Sequence, residues 1–336
     1  MIHKSALQIL FIFRDKNYHK HNFKDLFEKN QCKMDFGFFL TSLKTFAKIN
    51  LVSLGQFLSN NINYNYQHVI IDAKIRIDYS ENDFLPLLKA KIKTPVSLFL
   101  AYDRPFNFYD VIGFENFLNI KYYFIPNLLL DLKKYNLPVN LENKIILTYY
   151  GLGFLDITYD DLNNSFLIDN NKKREMNSIF FSGTVNKNRE YRFQIIEYLE
   201  KIEFNNKKII SYDANDSEKI KLSQTEYINE SISSKINIVL CGNQNNISYR
   251  LFEMAVLNTF FLVDHYFLNY YISSQFKNVG DFTFKNIEEL DFKINTLLKD
   301  NLFYESIKSE QANIFKKLYC PKTHGKYIKG LIDISL

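Results

Sequence analysis

What most constrains this chain is an alternation. Short apolar runs of strand length are separated, from one end to the other, by segments with a helical apolar period. That order predicts parallel sheets with helices packed on their faces, because two parallel strands need a long crossover and a helix fills it. In the first half the strand candidates are Leu7 to Phe13, Leu51 to Leu54, His68 to Asp72, Val96 to Tyr102, Tyr122 to Ile125 and Lys144 to Tyr149. Helix candidates lie between them near Phe36 to Ile49, Asp83 to Lys91, Asp110 to Leu118 and Leu128 to Tyr135. Pro95, Pro105, Pro126 and Pro138 fall at element edges, where a residue without an N–H does least damage.

After Tyr150 the pattern loosens, and Asp156 to Lys173 is rich in Asp, Asn and Lys with little apolar period. A second alternating series begins at Ser178 to Phe181. It continues with a helix from Asn188 to about Lys201, a strand Lys208 to Tyr212, a helix around Ser217 to Tyr227 and a strand Ile236 to Leu240. A short helix, a strand Thr259 to Val263 and a long helical C-terminus complete it. A chain of 336 residues with 46% hydrophobic content is long enough for two cores. The expected fold is therefore α/β, with two Rossmann-like doubly wound domains. Residues 1–155 form the first, 156–177 the linker and 178–336 the second, the final helix being able to pack back on the first.

Charge and cysteines narrow the function classes. The formal net charge is +5, from Lys+Arg 42 against Asp+Glu 37, and the basic residues are scattered, which argues against a nucleic-acid partner. Cys32, Cys241 and Cys320 stand far apart with no C-x-x-C, so neither a disulfide framework nor a zinc site is indicated, and a cytoplasmic location is expected. The apolar run Ala6 to Phe13 is short, leads into Arg14-Asp15-Lys16 and lacks a small-residue cleavage pattern; it reads as a buried strand, not a signal peptide. No stretch approaches the roughly 20 apolar residues of a membrane span. A basic face at Lys16, Lys20 and Lys24 leaves room for peripheral contact with an anionic membrane.

The segment with most chemistry is Asn245-Asn246-Ile247-Ser248-Tyr249-Arg250-Leu251-Phe252-Glu253, followed after a few residues by the apolar run Phe260 to Val263. It reads as a polar loop, an amphipathic helix with Arg250 and Glu253 near its start, then a buried strand. Backbone N–H groups at a helix N-terminus attract phosphate, an arginine holds two phosphate oxygens, and a carboxylate accepts from both ribose hydroxyls. Surface Arg and Glu on an ordinary core helix is the plainer alternative.

Ligands of open α/β sheets sit beyond the carboxyl ends of the strands, which singles out two further segments. Phe181-Ser182-Gly183-Thr184-Val185 runs from strand into loop and then to Arg189 and Arg192. Gly183 permits close approach of a ligand to the backbone, and both arginines can reach a phosphate. An ordinary βα turn explains the glycine equally well. In Leu100-Ala101-Tyr102-Asp103-Arg104-Pro105 a strand ends in an aspartate placed to act as a general base, or simply paired with Arg104. Asp72 and His68 are alternative bases. His19 and His21 lack a third ligand, His265 is an ordinary loop histidine, and no G-x-x-x-x-G-K-[ST], H-E-x-x-H or G-x-S-x-G is present.

Together Phe181-Ser182-Gly183 with Arg189, the Ser248-Tyr249-Arg250-x-Phe252-Glu253-x-Ala255 block and the stretch from Ile287 to Tyr327 resemble the C-terminal half of GT-B glycosyltransferases, in the CgeB-like and exostosin-like branch. Tyr102-Asp103-Arg104-Pro105 resembles a strand end of the CgeB-like N-terminal half. The resemblance covers about residues 178 to 330 and is thin before that. It implies two domains facing a cleft, the first on the acceptor side and the second binding a nucleotide-sugar donor. Arg250 would hold the diphosphate and Glu253 the ribose, with Gly183, Thr184, Arg189, Asn245, Ser248 and Tyr249 around the donor and Asp103 as catalytic base. It also implies a glycan or lipid-linked glycan acceptor in bacterial surface-polysaccharide synthesis, with no metal or other cofactor. His324 resembles a histidine preceding the last family helix and reads as structural.

One departure matters. Many retaining members carry a second glutamate where this chain has Asn245, and a neutral amide cannot act as a carboxylate toward developing positive charge. An inverting displacement is therefore favoured over retention. A non-catalytic glycan- or nucleotide-binding protein on the same scaffold is the alternative. A fucosyltransferase-like enzyme is a lesser one, since the Tyr-Val-Thr expected before its glutamate is missing.

Overall fold

The structure, a computed structural model, describes residues 7–15, 36–59, 65–100, 108–126, 128–136, 138–149, 151, 179–185, 189–204, 206–213, 222–242 and 245–335. In chain order the first part gives β1 (Leu7–Phe13), α1 (Gly37–Lys44), β2 (Ala47–Ser53), α2 (Leu54–Ser59), β3 (His68–Asp72), α3 (Glu81–Lys91), β4 (Val96–Phe99), α4 (Ile112–Phe117), β5 (Ile120–Ile125) and β6 (Ile145–Leu147). The second gives β7 (Ile179–Val185), α5 (Glu190–Lys201), β8 (Lys207–Asp213), α6 (Gln224–Ser233), β9 (Ile236–Val239), α7 (Tyr249–Val256) and β10 (Phe261–Asp264). It continues with α8 (Val279–Phe282), β11 (Thr283–Phe284), α9 (Ile287–Lys299) and α10 (Asn301–Leu318). The last helix, α11 (Pro321–Ser335), belongs to the same compact unit as residues 7–151, while 179–318 make the other.

In the first unit the sheet order is β2-β1-β3-β4-β5-β6, every pairing parallel. Strands buried on both faces need near-continuous apolar sequence, as in Ile9 to Phe13 and Val69 to Ile71, all 1% exposed or less. Much of the core is aromatic: Phe39 stacks on Phe99 at 5.0 Å, and Phe36 meets Phe11 at 5.1 Å and Phe99 edge-on at 6.3 Å. Helix α11 closes one side of this unit against α1. Phe38 stacks on Tyr319 at 4.3 Å, and the buried His324 Nε2 lies 3.0 Å from Thr148 Oγ1. The two helices approach closely at Gly325, where an added Cβ would stand 2.1 Å from Thr45 Oγ1 and 2.3 Å from the Ser42 carbonyl oxygen.

The second unit has the order β11-β10-β9-β7-β8, again parallel throughout. Strand β7 lies between β8 and β9, so the chain turns to one side of β7 first and to the other side afterwards. Phe252, Phe261, Phe276, Phe282 and Phe315 fill the core under α7 and α10, with centroid separations from 5.1 to 6.2 Å among the pairs in contact.

Some boundaries differ from the sequence expectation for identifiable reasons. The helix expected over Phe36 to Ile49 stops at Lys44, and β2 starts at Ala47, because Ala47 to Ser53 pairs residue for residue with the whole of β1. That ladder satisfies more backbone than another helical turn would. Leu128 to Tyr135 holds only a single 3-10 turn, Leu132–Tyr135, opened by Asp131 accepting the Lys133 N–H and closed by Asn136 in the left-handed region at φ 53°. Of the helix expected around Ser217 to Tyr227, residues 214–221 lie outside the described residues; α6 begins at Gln224 after the N-cap Ser223, where a reciprocal capping box with Glu226 fixes its first turn. No described helix is long and apolar enough to cross a membrane.

Candidate functional site

The carboxyl ends of β7 and β9, where the strand order reverses, are where an open α/β sheet leaves a crevice. A cavity of about 210 Å³ opens there. It is lined by Phe181, Gly183 and Thr184 from β7, Arg189 and Arg192 at the start of α5, Leu240 and Gly242 after β9, and Ser248 and Arg250 at the start of α7. Three of these residues are arginines and none is acidic. Gly183, Thr184, Arg189, Ser248 and Arg250, all expected at a donor site, are thus brought together by the fold.

Their geometry shows how. A Cβ on Gly183 would stand 3.0 Å from one Arg192 terminal nitrogen and 3.1 Å from one of Arg250. The missing side chain is therefore what lets two guanidinium groups close on the same stretch of backbone. Arg192 is anchored by its other nitrogens, Nε donating to the Thr184 carbonyl at 3.0 Å and Nη1 to the carbonyls of Cys241 at 2.9 Å and Leu240 at 3.3 Å. It clamps the end of β7 to the end of β9. Burial, then the neighbouring Arg250 charge, holds its pKa down to about 10, with Arg189 adding to the repulsion and Asp264 opposing it. A pocket that desolvates and crowds like charges is stabilised by an anion.

Arg250 sits on the first turn of α7, whose N-cap is Ser248; the Ser248 hydroxyl accepts the Arg250 N–H at 3.3 Å. Its guanidinium lies over the Tyr227 ring, 5.5 Å from the centroid. Tyr227 in turn donates its hydroxyl to Glu253 Oε2 at 2.9 Å. Glu253 is 2% exposed and does not line the cavity; in the described structure it holds Tyr227, and through that ring the arginine. Tyr249 is half-buried on the same turn, outside the cavity lining.

The loop before α7 is fixed from inside. Tyr270 donates its hydroxyl to the Asn245 carbonyl at 2.9 Å and lies 3.2 Å from Asn246 Oδ1, and the Gly242 N–H bonds the Asn246 carbonyl at 2.6 Å. Asn245 has φ 60°, a left-handed conformation that asparagine tolerates far better than glutamate. The missing glutamate thus has a backbone reason. Asn245 lines a second cavity beside the first.

In the first unit, Asp103 lies outside the described residues, as do His19, His21, Cys32, the lysines at 16, 20 and 24 and most of the expected linker. The alternative bases are both engaged in the fold. His68 is wholly buried at the amino end of β3, with Nε2 2.9 Å from Ser97 Oγ, and burial lowers its pKa to about 4. Asp72, 2% exposed, caps a 3-10 turn by accepting the Lys74 N–H at 3.0 Å. His324 lies within the last helix, where burial brings its pKa to about 3. Gly242, Tyr227, Tyr191 and Asp264 were not singled out as site residues from sequence. Gly242 and Asp264 do carry a signal, each following an apolar strand as Gly183 and Asp103 do.

No protein-family model matches the sequence, and neither does any curated protein. Solved structures do match in three dimensions. The DNA-modifying β-glucosyltransferase, studied with and without uridine diphosphoglucose, aligns over 97% of this chain and 100% of its own at a TM-score of 0.53 and 14% identity. The fold is GT-B. Anabaena HepE in complex with UDP shares it over 98% of this chain and 100% of its own at 0.57 and 11% identity, and S. aureus MnaA with UDP over 98% and 97% at 0.50 and 10%. At such identities the likeness concerns the GT-B fold itself, and none of the three identifies the CgeB-like or exostosin-like branch expected from the sequence.

Proposed function

We propose that this GT-B chain is a glycosyltransferase that moves a sugar from a UDP-sugar donor to a glycan or surface-polysaccharide acceptor. The observation that carries the reading is the switch-point cavity in which Arg192 and Arg250 close on Gly183 and Arg189 joins the lining, without a lining carboxylate. The neighbours bound to UDP or uridine diphosphoglucose support the choice of nucleotide.

The chemistry follows from charge. An acceptor hydroxyl attacks the anomeric carbon, its proton passes to a carboxylate base, and the bond from that carbon to the phosphate oxygen breaks with its electron pair leaving on the diphosphate. Arg250 and Arg189, with the N–H groups at the start of α7, take up that negative charge, and Arg192 holds the strand ends in place beneath them. Charge uptake by these groups makes a metal ion unnecessary. Asp103 is assigned as the base and inversion as the outcome. Glu253 is assigned to the ribose hydroxyls, a role that requires its buried carboxylate to turn from Tyr227 toward the cavity when the nucleotide binds.

The test is calorimetric titration of UDP into the full chain and its Arg250→Ala variant, followed by transfer assays on glycan acceptors with and without EDTA. Binding that disappears in the variant with its unfolding curve intact, and transfer insensitive to EDTA, are expected. Unchanged binding in the variant removes the diphosphate assignment, and transfer to duplex DNA in place of glycan removes the acceptor assignment. For Glu253, the affinity ratio of UDP to 2′-deoxy-UDP should collapse toward unity in Glu253→Ala. A preserved ratio leaves the residue only its hold on Tyr227.

A further inference from the structure

A second cavity of about 270 Å³ adjoins the first, sharing Arg189, Arg192 and Gly242 with it. Its remaining walls have a different chemistry: Glu190 and Tyr191 from the first turn of α5, Cys241 and Asn245 from the loop after β9, Asp264 at the carboxyl end of β10 and Tyr266 beyond it. The first cavity offers cations and no carboxylate. The second adds two carboxylates and two phenol rings.

Asp264 is the centre of the argument. It is 2% exposed, and its Oδ2 accepts the Cys241 backbone N–H at 2.8 Å, which fixes the side chain. Its Oδ1 is buried with no hydrogen-bond partner, and so is the Tyr191 hydroxyl in the wall of the same cavity. His265 Nδ1, in the ring cluster of Tyr191, His265 and Tyr266, is a third such atom. Buried polar groups in native proteins nearly always have a partner, so two such atoms on residues lining one cavity, with a third close by, call for a partner from outside the chain. A carboxylate only accepts, and it repels phosphate. The partner it suits is a neutral molecule rich in hydroxyls, with C–H faces to lay against phenol rings.

We infer that this second cavity is the glycosyl subsite: the sugar of the donor lies in it with one hydroxyl donating to Asp264 Oδ1 and another bonded to the Tyr191 hydroxyl, while the diphosphate occupies the arginine-lined cavity alongside. The two cavities thus sort a nucleotide sugar by charge. The inference rests on the diphosphate reading of the first cavity, and its test separates the two.

UDP, UDP-glucose, UDP-galactose and UDP-N-acetylglucosamine are titrated into the full-length wild type, Arg250→Ala, Asp264→Asn and Tyr191→Phe. Tyr191→Phe keeps the ring and guards against a folding defect at Asp264. In the wild type at least one UDP-sugar should bind more tightly than UDP. For that sugar, Asp264→Asn should lose tenfold or more and Tyr191→Phe threefold or more, the sizes expected for a charge-assisted and a neutral hydrogen bond, with UDP affinity held within about twofold. Loss of UDP in Arg250→Ala with no change of sugar affinity in the other two variants overturns the subsite alone and leaves a cavity filled only by water. No UDP-sugar exceeding UDP in the wild type overturns it too. Failure of the wild type to bind UDP at all removes both readings.

Discussion

Gly183→Ala is the sharpest single perturbation, because one methyl group should separate ligand binding from stability. The new Cβ would meet Phe181 Cζ at 2.8 Å, Arg192 Nη2 at 3.0 Å and Arg250 Nη1 at 3.1 Å. The Arg250 nitrogen is the end of a long side chain and can swing away, Arg192 is held by three carbonyls and need give only a few tenths of an ångström, and the Phe181 ring must shift. Overpacking of that kind costs about 1 kcal/mol, the low end for inserted methyl groups, and the smaller unfolded-state entropy of alanine returns about half of it. Thermal unfolding should therefore move by only a few degrees. The ligand fares worse. Displacing one arginine from a phosphate forfeits a charge-assisted hydrogen bond worth about 1.5–3 kcal/mol, a loss of roughly 10- to 100-fold in affinity. Calorimetric titration of UDP at fixed salt, run beside differential scanning calorimetry, measures both quantities. Unchanged affinity with a normal unfolding curve would refute the claim that the phosphate sits against Gly183 within reach of Arg250.

Acid should act first on the unit built from residues 7–151 and α11. His68 and His324 have folded pKa values near 4 and 3, below the unfolded value of about 6.5, so their contribution is whole above pH 6.5 and is lost as pH falls toward those values. Each accounts for roughly 3 to 5 kcal/mol at the end of that window, and His324→Gln should flatten the slope of denaturation free energy against pH between 6.5 and 4. Gly325→Ala drives a methyl into the Ser42 carbonyl, which cannot swing aside; a loss of about 2–3 kcal/mol by urea unfolding is expected, with hydrogen exchange in α11 rising most. Arg192→Lys cannot reach three carbonyls at once, and should lower stability by about 2 kcal/mol as well as UDP affinity; weakened binding at unchanged stability would deny its clamp between β7 and β9.

Much of this was legible in the sequence. The apolar runs at Ile9 to Phe13 and Phe260 to Val263 announce buried parallel strands whatever surrounds them, because burial on both faces demands it. The segment from Asn245 to Glu253 read correctly as a polar loop and an amphipathic helix with its arginine near the start, since the apolar period is a local signal; that Ser248 caps the helix is a finding of the structure. Helix ends read less well. Lys44 stops α1 because β1 requires a partner strand, and that demand comes from far along the chain.

What periodicity does not encode is the order of strands in the sheet. Placing β7 between β8 and β9 creates the crevice, and it alone brings Gly183, Arg192 and Arg250 to one point from three separate segments. The same long-range packing made Glu253 a buried partner of Tyr227, and left Asp264 beside Tyr191 with a bare oxygen each. Spacing along the chain determined which side chains have the right chemistry; which of them meet, and which are stripped of water and partners, depended on crossovers that only the tertiary structure decides.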